Sequence, residues 1–263
     1  METFDLWKSA PLQLEGEETP CLRYFPAEEK LGDGTVIIFA GGGYMRRSAH
    51  EADKYALFLN SLGLDAFVLD YRILPYRYPA ALIDARRAVR FVRANADKFG
   101  IDPCKIAVMG SSAGGHLAAH VSTYRGEVEG EVNDSLDSID PTPNAQILCY
   151  GVTEFQSNLL TYKNLLGDKL DELREEINPI RLADKTAPRA FIWHTETDTA
   201  VNVSSTLAYA SRLHELGVRC EMHIYPEGPH GIGLANDYPS VRRWQGELKF
   251  WLENEGYIAQ ARA

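Results

Sequence analysis

Lys105-Ile106-Ala107-Val108-Met109-Gly110-Ser111-Ser112-Ala113-Gly114-Gly115-His116 runs from a continuous apolar segment through G-x-S-x-G into a helical pattern ending near Ser122. Glycines on both sides of Ser112 permit a cramped strand-to-helix turn that lifts the serine hydroxyl clear of the sheet. The helix N-terminus that follows aims backbone N–H groups at any negative charge developing there. A bare match to this pattern arises by chance in roughly one chain in ten of this size, so its setting between strand and helix carries the information.

Working outward, short β-rich runs alternate with helical patterns, which predicts a mainly parallel central sheet flanked by helices. The strands are read at 35–40, 65–70, 105–110, 146–150, 189–194 and 220–225. Mostly apolar runs of this kind suit strands covered on both faces. Helices are expected at 51–62, from Pro79 onward, and at 114–122, 202–216 and 241–253. In the helix after Pro79, Leu82, Ala85, Val89 and Val92 form the sheet-facing stripe and Arg86, Arg87, Arg90 and Arg93 occupy the other faces. The first 30 residues read as an antiparallel hairpin or arm. Residues 152–187 break the rhythm with a small helical insertion, its apolar positions (Leu159, Tyr162, Leu166, Leu170, Leu173, Ile177) recurring at helical spacing. It is read as a cap over one end of the sheet, with Phe155 and Tyr162 narrowing the site toward small or sugar-like groups. No repeat or linker divides the chain, so one domain over 1–263 is expected.

A serine hydroxyl is a weak nucleophile near neutral pH and needs a base to take its proton and an acid to orient that base. Ser112, Asp198 and His230 occur in that order, with Asp198 and His230 each in a loop just past a predicted strand. Glu196, two residues before Asp198, is a second candidate for the orienting acid. Gly41-Gly42-Gly43-Tyr44, directly after the first buried strand, offers the N–H of Gly42 or Gly43 as an oxyanion donor beside that of Ala113. His116 and His120 stand at i and i+4, as in a metalloprotease ligand pair, but position 117 is Leu and no third ligand is evident. Core packing is the expectation for both, and no metal is expected. His194 is read as a hydrogen-bonding support of the acid loop, and Tyr71 and Arg72 as braces of the sheet and the oxyanion loop.

The chain has 263 residues, with 27 Lys and Arg against 37 Asp and Glu, a formal charge of −10. That balance disfavours phosphate backbones and anionic lipid, so neither nucleic acid nor membrane is an expected partner. Six of the acids (Glu127, Glu129, Glu131, Asp134, Asp137, Asp140) crowd one stretch, read as a solvated loop. Cys21, Cys104, Cys149 and Cys220 are widely spaced and include no C-x-x-C pair, which suits free thiols. With no basic start followed by an apolar run at the N-terminus, a cytoplasmic location is expected.

Taken together, these stretches resemble the α/β-hydrolase fold, and within it the small esterases grouped around acetyl-xylan esterases and the esterase side of the hormone-sensitive-lipase-like enzymes. The resemblance rests on Gly41 to Tyr44 with Ser48 and Glu51, Asp70 to Pro75 with Tyr78-Pro79-Ala80, Gly110 to His116, His194-Thr195 with Asp198, and Pro229-His230-Gly231. Related enzymes often carry His before the glycines and Asp before the nucleophile, where this chain has Ala40 and Ser111. Both departures favour the carbohydrate-esterase-like branch. The resemblance implies a serine ester hydrolase without cofactor that removes acetyl groups from sugars or short xylo-oligosaccharides. An amide hydrolase of the kynurenine-formamidase or peptidase type on the same triad is the alternative.

Overall fold

A computed structural model describes residues 2–131 and 134–260. Its eight strands are β1 (Glu2–Asp5), β2 (Cys21–Phe25), β3 (Thr35–Phe39), β4 (Asp65–Asp70), β5 (Ile106–Ser111), β6 (Ala145–Cys149), β7 (Arg189–Thr195) and β8 (Cys220–Tyr225). They form one sheet in the order β1-β2-β4-β3-β5-β6-β7-β8. β1 and β2 pair antiparallel at one edge, and every pairing from β4 to β8 is parallel. The arm expected at the N-terminus is therefore a hairpin added to the sheet. This is the α/β-hydrolase fold.

Both faces are covered, and the alternation along β3 makes this visible. Ile37 and Phe39 belong to one core with Leu82, Val89 and Leu117, while Val36 and Ile38 belong to the other with Tyr55, Met109 and Trp244. Successive strand side chains point to opposite faces, so a strand apolar at every position requires helices on both. From β3 the chain crosses to β4 on one side and returns to β5 on the other. The loops leaving β3 and β5 thus diverge at their C-terminal ends and open a crevice there, the usual ligand position in such sheets. Gly41 to Gly43 and Ser112 stand on its two lips.

Two expectations are corrected. The acidic stretch is only partly solvated: Glu127 and Glu129 are exposed, but Glu131 pairs with Arg86 at 2.8 Å and Arg90 at 2.7 Å, and Asp134 with Arg87 at 2.6 Å. The helix Ala80–Ala94 is buried nearly all round, with Arg86, Arg87 and Arg90 only 6–7% exposed, so their guanidinium heads require acceptors and the acidic segment folds back to supply them. The 152–187 insertion is not one continuous helix but short pieces, chiefly Leu159–Leu166, Leu170–Leu173 and Pro179–Leu182. Gly167, at φ +57°, ends the first of them. Tyr162, Leu166 and Ile177 still reach the core, because the apolar spacing survives the break.

Arg72, at the end of β4, is buried with Asp84 of the helix Ala80–Ala94: Nη2 lies 2.6 Å from Oδ1, and the Arg72 N–H donates to Oδ2 at 2.8 Å. Its other terminal nitrogen donates to the Pro11 carbonyl. The pair ties the N-terminal arm, the sheet and the helix together, while Tyr71 Oη donates to the Ala40 carbonyl at 2.6 Å. Asp84→Asn leaves the Arg72 charge buried without a counter-ion and is expected to lower unfolding free energy by about 3–5 kcal/mol. Urea denaturation checks this, and a loss within experimental error of zero would show that the pair is dispensable.

Candidate active site

Ser112 sits at φ +53°, ψ −118°, an unfavourable conformation for a residue with a Cβ, between β5 and the helix Ala113–Thr123. Its flanking glycines are required by contact. A Cβ on Gly110 would lie 2.0 Å from the Gly114 carbonyl oxygen, and one on Gly114 would lie 2.0 Å from that of Phe39. The turn is fastened by Ser112 N–H donating to Cys149 O at 3.1 Å and by Ser112 O accepting from Val152 N–H at 3.1 Å.

The structure brings Ser112, His230 and Asp198 into one hydrogen-bonded line. His230 Nε2 is 2.8 Å from Ser112 Oγ, and Nδ1 is 2.7 Å from Asp198 Oδ2. Asp198 is an acceptor only, so Nδ1 carries the proton and Nε2 is free to accept the serine hydroxyl. Asp198 Oδ1 accepts the N–H groups of Ala200 and Val201, each at 2.9 Å, and Oδ2 also meets His194 Nε2 at 3.2 Å. Burial alone raises the Asp198 pKa, but hydrogen bonds from His194, His230 and Val201 outweigh it and hold the carboxyl well below its ordinary range. Glu196 is exposed, so Asp198 is the acid placed against the histidine.

His194 is fully buried and supports the acid as expected. Its Nε2 faces two acceptors, Asp198 Oδ2 and the Val201 carbonyl at 3.0 Å, while Nδ1 meets Thr206 Oγ1 at 2.7 Å. The loop carrying His230 is clamped to the acid loop by Thr195 Oγ1 donating to Gly228 O at 2.8 Å and Gly228 N–H donating to Thr197 Oγ1 at 3.0 Å.

Gly42 and Gly43 adopt φ +129° and +64°, and a Cβ on Gly42 would lie 2.2 Å from the Arg46 carbonyl oxygen. Among the described residues, no acceptor engages the N–H groups of Gly42, Gly43 or Ala113. Asn164 Nδ2 donates to the Gly43 carbonyl at 2.8 Å, a support that no local sequence signal announces. Tyr44, next in the loop, is pinned from both sides: its hydroxyl shares a hydrogen bond with His116 Nδ1 at 2.8 Å, and its carbonyl accepts Leu74 N–H at 2.8 Å. His116 and His120 are buried, and burial lowers the His116 pKa to about 4. Among the described residues, no group of three His, Cys, Asp or Glu side chains stands ready to hold a metal.

Ser112 and His230 open into a cleft of about 410 Å³. From the insertion, Asn158, Leu160, Thr161 and Asn164 reach its wall, facing Met45 and Arg46 of the glycine loop. Phe155 and Tyr162 do not line it. Tyr162 is fully buried, its ring 5.0 Å from that of His116 and 6.2 Å from that of Phe155. The expectation that these two aromatics shape the site does not hold, and Asn158, Leu160, Thr161 and Asn164 of the same segment line the cleft instead.

The BD-FAE family profile matches residues 23–213. The chain belongs to the BD-FAE family. It is 32% identical over 77% of its length to endo-1,4-beta-xylanase B of Butyrivibrio fibrisolvens, and 26% identical over 94% of its length to the acetylxylan esterase of Xylanibacter ruminicola. It spans 33% of the former and 51% of the latter. Among solved structures, the acetyl ester-xyloside bifunctional hydrolase of Caldicellulosiruptor lactoaceticus superposes with a TM-score of 0.92 at 36% identity, covering 98% of this chain and 97% of that one. None of the described helices of this BD-FAE chain is long and apolar enough to cross a membrane.

Proposed function

We propose that this chain is a serine carboxylic-ester hydrolase that removes acetyl groups from carbohydrates such as xylo-oligosaccharides. The observation that carries the reading is the line Ser112–His230–Asp198, joined at 2.8 and 2.7 Å and opening into a cleft beside three unengaged backbone N–H groups. His230 Nε2 takes the Ser112 proton as Oγ attacks the ester carbonyl carbon, and Asp198 stabilises the imidazolium that forms. The tetrahedral oxyanion is held by the N–H of Ala113 with that of Gly42 or Gly43. The C–O bond to the sugar breaks as His230 returns the proton to the departing hydroxyl, and water releases acetate by the same steps in reverse roles. The chemistry uses no cofactor.

The wall of the cleft supports a polar alcohol. Thr161 Oγ1 and Asn164 Oδ1 make no hydrogen bond among the described residues, whereas the Asn158 amide is engaged by Thr161 N–H and the Ala200 carbonyl, and Arg46 is exposed with no partner among the described residues. The 152–187 segment serves here as a partial cap on a single domain spanning 1–263. The relatives named above favour ester over amide chemistry. All four cysteines are free, which supports a reducing, cytoplasmic setting.

The test is acetate release from acetylated xylo-oligosaccharides alongside hydrolysis of p-nitrophenyl acetate. Turnover of both is expected. Cleavage of the generic ester alone would keep the mechanism and remove the carbohydrate assignment.

A further inference from the structure

Glu51 is buried at 2% exposure beside the candidate oxyanion loop, and the reaction steps above do not use it. Its Oε2 accepts the Gly41 N–H at 3.1 Å and its Oε1 accepts the Tyr150 hydroxyl at 2.6 Å. Tyr150 Oη in turn accepts Gly233 N–H, three residues past His230, at 2.9 Å. It also lies 3.3 Å from Tyr55 Oη, which accepts Ser111 Oγ–H at 3.0 Å. Every hydrogen bond of this network can point one way, from Ser111 through Tyr55 and Tyr150 to Glu51, and an acceptor-only carboxylate is what such a chain requires at its end.

Burial pushes the phenols of Tyr55 and Tyr150 well above their ordinary range, so both keep the protons they donate. Tyr150 is itself held at φ +39°, with its ring 5.1 Å from that of His230 and nearly perpendicular to it. A Cβ on Gly41 would lie 2.4 Å from Glu51 Oε2 and 3.1 Å from Ser112 Cβ, so only a glycine backbone separates the carboxylate from the nucleophile turn. His50 donates to the Gly231 carbonyl at 2.8 Å, a further tie between the loop after β3 and the histidine loop.

We propose that Glu51, acting through Tyr150, is a positioning residue that keys the oxyanion loop after β3 to the histidine loop after β8, so that the oxyanion donors and the general base hold one mutual geometry. The carboxylate touches neither substrate nor reacting atoms. It fixes the plane of the Gly41 amide, and with it the direction of the Gly42 and Gly43 N–H groups. This rests on the proposed roles of Ser112, His230 and those donors.

Glu51→Gln and Tyr150→Phe test it. The amide of Gln presents one donor where two donors already converge, and Phe keeps the ring against His230 while removing only the hydroxyl. With p-nitrophenyl acetate, Glu51→Gln is expected to lower kcat on the order of 10²-fold, the scale of a displaced catalytic group, with KM changed less than about threefold. Affinity for a trifluoromethyl ketone, whose hemiketal with Ser112 carries the oxyanion, should fall by the same factor as kcat. Tyr150→Phe should act in the same direction, and the double variant should lose little more than the worse single one.

Wild-type kcat per titrated site in Glu51→Gln, or a loss confined to KM, overturns the proposal. If Glu51→Gln does not fold, Tyr150→Phe decides by the same criteria. Absence of ester turnover in the wild type would instead count against the ester-hydrolase reading. The rate of Ser112 labelling by a fluorophosphonate in the three proteins then decides whether Glu51 positions the site.

Discussion

Ser112→Ala is expected to lower kcat for ester hydrolysis by about 10⁶-fold while leaving the fold intact, because removal of Oγ abolishes the acyl-enzyme route and leaves only the unused donors of the oxyanion site. The variant should also lose stoichiometric labelling by a fluorophosphonate. Ser112→Gly separates chemistry from strain. Ser112 sits at φ +53°, ψ −118°, where a Cβ is unfavourable, and Ala keeps that Cβ whereas Gly does not. Backbone strain of this kind costs of order 1–3 kcal/mol, so Ser112→Gly should be more stable than Ser112→Ala while equally inactive. At about 2–4 °C per kcal/mol for a chain near this size, the difference is readable in paired thermal melts. Residual activity within tenfold of wild type in Ser112→Ala would remove Ser112 from the mechanism.

The parts of the fold legible in the sequence are those whose signal is local. The strands expected from apolar runs lie within a residue of β3 to β8, because the interior strands are buried on both faces and apolar at most positions, while the edge strand β8 still alternates apolar residues with Glu221 and His223. The candidate Ser112, Asp198 and His230 were legible for a related reason: each sits just past a strand, and a parallel sheet brings the C-terminal ends of its strands to one edge. Choosing between Asp198 and Glu196 needed the third dimension, since the loop after β7 turns one inward and the other to solvent. What stayed illegible depends on pairing across distance. Arg86 and Glu131 are 45 residues apart and Tyr150 and Glu51 are 99 apart, and neither partner marks the other in the chain. Glu51 entered the reading only through its place in a family pattern, and nothing in its neighbourhood announced a buried carboxylate. The insertion shows a different limit. Its apolar spacing identified the buried face, yet the spacing continues across Gly167 although the helix does not.

Asp198→Asn is expected to lower kcat by about 10⁴-fold with little change in KM, and the geometry says why an isosteric change is so damaging. Asp198 receives four donors: Ala200 N–H and Val201 N–H on Oδ1, His230 Nδ1 and His194 Nε2 on Oδ2. An Asn keeps one acceptor oxygen and brings an NH₂. If that NH₂ faced the two backbone N–H groups it would oppose two fixed donors, so the oxygen stays there and the NH₂ turns toward the histidines. His230 then relieves the remaining clash by moving its proton to Nε2, which presents a donor to Ser112 Oγ in place of the base. The serine hydroxyl loses its proton acceptor although each heavy atom stays near its position. Hydrogen bonding holds the Asp198 carboxyl well below its ordinary range despite burial, so in the wild type this group stays ionised above about pH 4 and its own titration does not enter the rate profile. The stability it contributes, as for any carboxyl with a depressed folded pKa, is present above the unfolded value and is lost only as pH falls through the folded one. The expected signature of Asp198→Asn is a low rate at every pH, with ¹⁵N shifts of His230 reporting the proton on Nε2. A variant that recovers wild-type kcat anywhere between about pH 5 and 9 would show that neither the charge of Asp198 nor the tautomer it selects is needed for turnover.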